Sequence, residues 1–465
     1  MFNYNKVTPE IISQLRQIVG EKNLTQAKED LEKHAVDESP LEPHMPEVVV
    51  RPGSTTEVAS ILKLSTETKI PVVAQGSRTG LSGASHPIQG GIALSLERMN
   101  KILEIDEANL MAVVEPGVLV DEVHKAVEKV GLYYPPDPGQ DSGSIGGNIN
   151  TNAGGMRALK YGTTRDYIQG LEFVLPDGNV INVGGKLVKD STGYSLLDLI
   201  IGSEGTLGVV TKATLRLVPK PRYTTLIYSP FNSVRDAGAA VSEIIKRKVQ
   251  PFALELMSRH TVETVERYLE RKLPDDTHPA YLIVGLESNS EAELESQLET
   301  AGEVCLEMGA VDAYIADTTE KQRQMWEARK SVYDAYLAFY DLDEADICIP
   351  RSVIPPFIEK LDAIAEKHSV LIAPVGHAGD GNIHCNVIRV GQSDEEWKKA
   401  LEATLSDLID LGLSLGGTIS GEHGLGYTKR QYLVKRVGRR QVELMREIKR
   451  VFDPLNIMNP DKVWV

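Results

Sequence analysis

Two histidines, His377 and His384, stand seven residues apart in the stretch PVGHAGDGNIHCNV, with Gly-Asp-Gly-Asn between them. Further along, SGEHGLG sets Glu422 beside His423 among glycines. Two imidazoles and one carboxylate are a common ligand set for Zn²⁺ or Fe²⁺ that leaves positions open for a substrate. The alternative for each histidine taken singly is a satisfied core or surface residue. The flanking segments SVLIAPVG and NIHCNVIRV both have the texture of strands. On one straight strand, positions seven apart face opposite ways, because side chains alternate. A hairpin reversal at Gly379-Asp380-Gly381 removes that objection and brings both histidines to one end of a sheet. On the second strand His384, Asn386 and Ile388 then share a face, and Ile383, Cys385 and Val387 take the other. Asn386 can therefore accompany His384 into a site, and Cys385 is excluded from it. Glycines at 421, 424 and 426 leave the backbone free to aim Glu422 and His423 separately.

A second kind of chemistry is written in three glycine-rich segments. These are AQGSRTGLSG (74–83), PPDPGQDSGSIGGNINTNAGGMRALKYG (135–162) and GSEGTLGVVT (202–211). Clustered glycines with Ser, Thr and Asn expose backbone N–H donors on concave loops, which suit a diphosphate. Singly, each could be a tight turn; together they point to a nucleotide cofactor. The chain has neither Gly-x-Gly-x-x-Gly after a strand nor a Walker A sequence, so a Rossmann fold and a P-loop are unsupported.

The elements that must carry these residues can be outlined. Thr8 as N-cap, Pro9 at the first helical position and Gly20 past the last apolar residue mark an N-terminal helix. From about Glu47 to Pro219, short β-branched runs alternate with glycine clusters, interrupted by helices such as TTEVASILKLSTET, as in a compact α+β domain. From Arg222 the texture changes. YTTLIYSPF, VRDAGAAVSEIIKRK and PFALELM read strand, helix, strand, and AYLIVGLES, EAELESQLETAGEVCLEMG and VDAYIAD repeat the order. Two βαβ halves in succession resemble a ferredoxin-like sheet. EKQRQMWEARKSVYDAYLAFY resumes helical periodicity, and RRQVELMREIKRVFDPLNIMNPDKVWV predicts a basic helix stopping at Asp453-Pro454, then an extended tail.

Bulk properties bound the partners. A chain of 465 residues makes two domains or more, and its net charge of −16 argues against nucleic acid and anionic membranes. The N-terminus lacks a signal-peptide pattern, and no segment reaches the ~18 apolar residues of a spanning helix. Three scattered cysteines disfavour disulfides, a zinc ribbon or an iron–sulfur cluster. A cytoplasmic protein without a transmembrane segment is expected.

The glycine-rich segments resemble the FAD-binding domain of the vanillyl-alcohol oxidase/p-cresol methylhydroxylase superfamily. Within it, the chain is most similar to the FAD-linked D-2-hydroxyacid dehydrogenases, which include D-lactate dehydrogenases and glycolate oxidase flavin subunits. AQGSRTGLSG matches that family's pyrophosphate loop, IGGNINTNAGG its second flavin loop, GSEGTLGVVT the strand on the adenine side, and FDPLNIMNPDK its closing motif. The resemblance implies an α+β architecture in three parts. Residues 1–221 would form a two-subdomain FAD-binding domain, 222–430 a ferredoxin-like substrate-binding cap with the metal site, and 431–465 a C-terminal helix and tail closing on the flavin. It implies FAD contacts at Gly76, Ser77, Arg78, Thr79, Gly80 and Ser82; at Pro135, Asp137, Ser142, Ile145, Gly146, Gly147 and Asn148; at Thr151, Asn152, Ala153, Gly154 and Gly155; and at Tyr161, Gly162, Gly205, Val210 and Asn459. The pyrophosphate loop has no histidine or cysteine, and His86 lies just beyond it, so FAD is expected to be non-covalent.

The same resemblance makes His377, His384 and Glu422 ligands of a divalent metal, Zn²⁺ or Fe²⁺, and His423 the catalytic base, with Asn386 beside them. It assigns Arg329, within MWEARKSV, to the substrate carboxylate, for which a guanidinium fork suits better than lysine; read alone, Arg329 could be a solvated helix charge. Relatives acting on 2-hydroxyglutarate carry an added lysine near Asp346, where this chain reads DLDEADICIP, which favours a monocarboxylate. The expected reaction is oxidation of a D-2-hydroxy acid, D-lactate to pyruvate first, with metal assistance and hydride transfer to flavin N5. Electrons would pass to an external acceptor such as an electron-transferring flavoprotein. Glycolate or D-2-hydroxyglutarate oxidation, delivering to an iron–sulfur subunit or quinone, is the alternative, and either a homodimer or a heteromeric complex fits. Two rivals compete. A metal-dependent hydrolase gives no reason for three glycine-rich loops, and a non-catalytic flavin electron carrier has no use for Arg329 and His423 together.

Overall fold

The computed structural model describes residues 3–464 and divides into two compact units. One contains Met1–Gly154, Thr163–Lys220 and Glu422–Val465; the other contains Gly155–Gly162 and Pro221–Gly421.

Among the described residues the first unit carries three sheets, the smallest a two-stranded pairing of Leu132–Tyr133 with Val218–Pro219. Its four-stranded sheet runs in the order Leu24–Thr25, Val48–Val50, Ile92–Ser95, Val72–Gln75, parallel between the last three. Parallel strands need helical crossovers, and Thr55–Thr68 supplies one by burying Val58, Ile61 and Leu62 against Val48, Val50, Ile92 and Leu94. The N-terminal helix spans Pro9–Val19 as its caps predict: Thr8 accepts from the Ile11 N–H and Gly20 closes it at φ 81°. The second sheet is antiparallel, ordered Ile102–Asp106, Met111–Val114, Val209–Arg216, Ile168–Val174, Val180–Gly184.

The basic C-terminal helix covers Arg439–Phe452 and stops before Pro454, whose ring disfavours helical backbone at Asp453. Asp453 then accepts from the N–H groups of Ile457 and Met458, which turns the chain back. The tail meets Val72, with Val72 N–H donating to Ile457 O and Asn459 N–H to Val72 O, both at 2.8 Å.

The second unit is built on one seven-stranded antiparallel sheet. In chain order its strands are β1 (Tyr223–Phe231), β2 (Ala253–Ser258), β3 (Ala280–Ser288), β4 (Tyr314–Ala316), β5 (Leu342–Cys348), β6 (Leu371–His377) and β7 (Asn382–Ile388). Their spatial order is β4-β1-β3-β2-β6-β7-β5. The first four stand as 4-1-3-2, the ferredoxin-like order that two successive βαβ halves produce. β6, β7 and β5 extend it, which the sequence did not signal.

Strand alternation gives this sheet two faces. Ile227, Leu254, Leu256, Ile347, Ile383, Cys385 and Val387 join one core, under helices that include α1 (Val234–Lys246) and α3 (Glu291–Glu307). Ala253, Met257, Tyr281, Ile283, Val375 and Ile388 join the other. That core lies under α2 (Arg259–Leu269), α4 (Thr319–Lys330) and α5 (Val332–Phe339). The periodicity across 319–339 reads as one helix, but the structure breaks it at Ser331.

Two expected domain limits move. The segment from Glu422 to Arg430 belongs with the first unit, not with the cap, because its backbone is bonded there: Leu425 and Gly426 N–H donate to Glu204, and Tyr427 N–H to Ser82 O. Residues 155–162 join the second unit, where Tyr161 donates its hydroxyl to Glu287 and Lys160 pairs with the same carboxylate at 2.8 Å. Among the described residues no helix is long and apolar enough to cross a membrane.

Candidate active site

In the second unit the β6–β7 hairpin places His377 at the end of one strand and His384 within the next. The register pairs His377 with Asn382 and Val375 with His384, so both imidazoles rise from one face. Their ring centroids are 5.4 Å apart at an interplanar angle of 89°. The reversal occupies 378–381, and Gly381 adopts φ 89°, where an added Cβ would lie 1.9 Å from Ile349 O. Cys385 points to the opposite face, in the other core.

Each histidine meets a carboxylate at Nδ1. Glu255, fully buried on β2 and directly opposite His377, lies 3.0 and 2.8 Å from His377 Nδ1 through its two oxygens. Glu344 Oε1 lies 3.0 Å from His384 Nδ1. A carboxylate accepts only, so Nδ1 of each ring is the donor, and in the neutral ring Nε2 then carries the lone pair that a cation needs.

Arg329, near the end of α4, is 8% exposed and donates Nε–H to Glu255 Oε2 at 2.7 Å. Its Nη2 lies 3.4 Å from His377 Nδ1. With Nδ1 already protonated toward Glu255, that approach is donor facing donor, and the shared acceptor is the Glu255 carboxylate.

Asn386 shares the face of His384, as expected. Its Nδ2 donates to Ala373 O at 3.3 Å, while Oδ1 is buried and accepts no hydrogen bond among the described residues. Rotating the amide would set oxygen against oxygen at Ala373, so Oδ1 stays the outward acceptor. Asp346, opposite His384, is buried and accepts from Asn382 Nδ2 (2.8 Å), Ser420 Oγ (2.7 Å) and the Gly421 N–H (2.9 Å). That network holds the chain at the residue before Glu422.

In the first unit the three glycine-rich segments are knit together. The loop Gly76–Gly80 leaves the end of the strand Val72–Gln75, and Ser82 follows it. Gly76 lies so close to Ser144 that a Cβ would come within 2.0 Å of its Oγ. Ser144 also caps the short helix Ile145–Thr151, which carries Gly146, Gly147 and Asn148, through the Gly147 N–H. Gly205 N–H donates to Asn150 Oδ1 at 3.0 Å, and Asn459 Nδ2 donates to Ala84 O (2.9 Å) and Glu204 O (2.7 Å). The closing motif, the GSEGTLG segment and the residue that follows the pyrophosphate loop therefore meet at Asn459. Pro135, Asp137 and Ser142 lead into the short helix; Asn152, Ala153 and Gly154 follow it, and Val210 lies at the start of the strand Val209–Arg216. Gly155, Tyr161 and Gly162 belong to the other unit.

These residues fit a polar nucleotide. Asn148 Nδ2, the Tyr134 hydroxyl and Ser203 Oγ are buried without hydrogen-bond partners among the described residues. Buried polar groups are normally satisfied, so two orphans on these segments and a third immediately before the second of them call for a polar guest. Burial also pushes the Tyr134 phenol upward, keeping it a donor.

The GEHGLG segment is fastened to the same loops. Ser82 Oγ donates to His423 O at 3.1 Å, and Glu204 accepts from Leu425 (2.8 Å) and Gly426 (2.7 Å). A Cβ on Gly426 would lie 2.1 Å from Ser82 O, and one on Gly154 would lie 2.7 Å from Glu422 Oε2. Burial pushes the pKa of the Glu204 carboxyl up, against the two N–H groups and the nearby Lys462 and Lys429.

Glu255, Glu344, Asp346 and Glu204 were not among the residues singled out from sequence. A lone acid inside the apolar run FALELM was a visible signal for Glu255, since a buried charge needs a partner. The i, i+2 acids of LDEADIC were one for Glu344 and Asp346.

The comparisons agree with this architecture. Residues 220–463 match the family model for the C-terminal domain of FAD-linked oxidases, and residues 46–184 match that for an FAD-binding domain. The chain is 39% identical to a D-lactate dehydrogenase of Anaerostipes hadrus, over 99% of this chain and 98% of the relative. It is 42% identical to a D-lactate dehydrogenase of Archaeoglobus fulgidus over 90% and 91%, and 38% identical to a glycolate oxidase subunit of Bacillus subtilis over 98% and 97%. Its fold is similar to that of p-cresol methylhydroxylase, with a TM-score of 0.80 at 18% identity over 100% of this chain and 99% of the other. The chain thus belongs to the FAD-linked oxidase family that holds the D-lactate dehydrogenases and glycolate oxidase subunits, and it is an FAD-dependent oxidoreductase.

Proposed function

We propose that the protein oxidises a D-2-hydroxy acid, D-lactate before others, to the 2-oxo acid and passes the electrons to an external acceptor such as an electron-transferring flavoprotein. When bound, FAD would supply the hydride acceptor, and a divalent cation would supply the positive charge that lets the substrate hydroxyl ionise near neutral pH. The 76–82, 135–155 and 202–210 segments with Asn459 would hold FAD non-covalently. His377, His384 and Glu422 would hold the cation, Zn²⁺ or Fe²⁺, the two histidines through Nε2. His423 takes the hydroxyl proton on its imidazole, and a pKa near operating pH suits that task. Arg329 binds the substrate carboxylate through its terminal nitrogens while Nε stays on Glu255. Asn386 Oδ1 offers a further acceptor on the same face.

The observation that carries this reading is the His377–His384 pair, each ring turned by a carboxylate at Nδ1, with Arg329 anchored on one of those carboxylates. A monocarboxylate suits the surroundings better than a dicarboxylate, because Glu344 and Asp346 stand beside His384. Similarity to a glycolate oxidase subunit keeps glycolate, with an iron–sulfur subunit or quinone as acceptor, as the second reading.

Anaerobic mixing of the yellow protein with D-lactate, L-lactate, glycolate and D-2-hydroxyglutarate tests both. Bleaching of the flavin band is expected with D-lactate and not with L-lactate. A spectrum unmoved by every D-2-hydroxy acid would refute the proposal, and selective bleaching by glycolate would move it to the second reading.

A further inference from the structure

We infer that Glu255 is a positioning residue that sets two partners at once: the metal-facing nitrogen of His377 and the substrate-facing edge of Arg329. The inference rests on the proposed function for what those partners bind, and on the geometry of the second unit for what Glu255 does to them.

Glu255 is fully buried in the apolar strand β2, between Leu254 and Leu256, whose side chains join the opposite core. A carboxylate there is costly unless its oxygens are filled by charge-assisted donors. Three contacts fill them: Arg329 Nε on Oε2 at 2.7 Å, and His377 Nδ1 on Oε2 and Oε1 at 2.8 and 3.0 Å. The contact with His377 is built into the ladder. Glu255 and His377 are direct partners in the β2–β6 register, so the backbone itself holds the two side chains face to face. Arg329 arrives from α4, where the neighbouring Ala328 and Met325 bury into the core on that face.

Two consequences follow. Because the carboxylate only accepts, His377 is held as the Nδ1–H tautomer and its Nε2 lone pair is presented in a fixed ring orientation. Because Arg329 spends Nε on the same carboxylate, its two terminal nitrogens make the edge available to a ligand carboxylate. One acid thus couples the cation side of substrate recognition to the carboxylate side. Glu344 is the partial counterpart. Its strand register pairs it with Asn386, so it reaches His384 Nδ1 diagonally.

The test uses the full-length flavoprotein, freed of metal by a chelator and dialysed. Zn²⁺ affinity is measured by competition with a chromophoric chelator for wild type, Glu255→Gln and Glu255→Asp. Carboxylates behind metal-binding histidines typically carry roughly 10- to 100-fold in affinity. Glu255→Gln is expected to lose that much, and Glu255→Asp, which keeps the charge and shortens the reach, to lose less. Arg329→Met is expected to raise KM for the hydroxy acid, because it removes the guanidinium edge that Glu255 holds in place. A folded Glu255→Gln protein with wild-type Zn²⁺ affinity overturns the inference. Imidazole ¹⁵N shifts of the metal-free wild type give a readout independent of variant folding and of metal. The His377 signal, assigned by its loss in His377→Gln, is expected to report Nδ1–H with Nε2 unprotonated, and the opposite tautomer overturns the inference. A wild type that takes up no Zn²⁺ or Fe²⁺ but shows the Nδ1–H tautomer sinks the metal site of the proposed function and leaves the role of Glu255 toward His377 standing.

Discussion

Replacing Arg329 by lysine isolates the guanidinium geometry from its charge. In the structure Arg329 Nε is committed to Glu255 at 2.7 Å, and the side chain is almost fully buried, so screening by water is small. Lysine brings one nitrogen to the same place. Its three donors all start from that one point, so a nitrogen held on Glu255 cannot also present the pair of separated, parallel N–H groups that a guanidinium offers a ligand carboxylate. The buried acid has the prior claim, because leaving it without a cation costs about 3–5 kcal/mol. The ligand then loses a charge-assisted hydrogen bond of about 1.5–3 kcal/mol. At about 1.4 kcal/mol per factor of ten, that is a loss of roughly ten- to hundredfold in kcat/KM. Carboxylate binding is made in ground state and transition state alike, so KM should carry most of the change. Steady-state kinetics with D-lactate and an artificial acceptor, on protein of unchanged flavin content, measures it. The companion Arg329→Met should also lower stability by about 3–5 kcal/mol, since Glu255 is left buried with no cation. If Arg329→Lys matches wild-type KM and kcat within threefold, the arginine does not grip the substrate and its role is confined to Glu255.

Three further outcomes are expected. His423→Ala should retain FAD, because that residue meets the flavin loops through its backbone carbonyl on Ser82, and should lose flavin bleaching by D-lactate; bleaching at the wild-type rate would remove His423 as the base. Lys449 is buried and donates to Thr206 O, Asp453 Oδ2 and Met458 O, so Lys449→Met should cost about 3–5 kcal/mol in urea denaturation, and a cost under 1 kcal/mol would refute the clasp. Lys462 is buried, and desolvation lowers its pKa from the ordinary 10.5 to about 7. The unfolded chain then binds more protons than the folded one between those values, so this lysine's penalty is full below pH 7 and fades as pH rises toward 10.5. Wild type should gain up to about 1.4 kcal/mol per pH unit relative to Lys462→Met from pH 7 to 9, and parallel stability profiles would contradict the assignment.

Much of the fold was legible because its signals are local. The first helix is written in Thr8, Pro9 and Gly20, and the strand–helix–strand repeats after Arg222 follow from period alone. The histidine hairpin was legible too, since two strand textures around Gly-Asp-Gly-Asn leave few alternatives to a reversal, and alternation then separates Asn386 from Cys385. What escaped was sheet membership. Nothing in LDEADICIP or VLIAPVG states that these strands join the same sheet as YTTLIYSPF, because edge pairing depends on partners far away in the chain. The break of the 319–339 helix at Ser331 escaped for a related reason: both halves keep apolar spacing, and the turn is decided by how each packs.

The acids that orient the histidines were hidden by the same non-locality, and this bears on how such a site is built. Glu255 precedes His377 by 122 residues and meets it through β2–β6 pairing; Glu344 precedes His384 by 40 and reaches it diagonally across β5–β7. Each acid lies inside an apolar or alternating strand, where a charge is a cost to folding unless the tertiary pairing supplies its donor. A sequence pattern of ligands therefore names the atoms that could touch a cation, and the sheet register decides whether those atoms carry lone pairs or protons. On this sheet face the register favours lone pairs at both Nε2 positions. A slip of one residue between β2 and β6 would turn Glu255 into the opposite core and leave Arg329 and His377 without their shared acceptor, since alternation moves every side chain at once. The chemistry proposed for the pair is thus conditional on strand pairing that the nine-residue β1–β3 ladder and the six-residue β2–β3 ladder fix from the far side of the sheet.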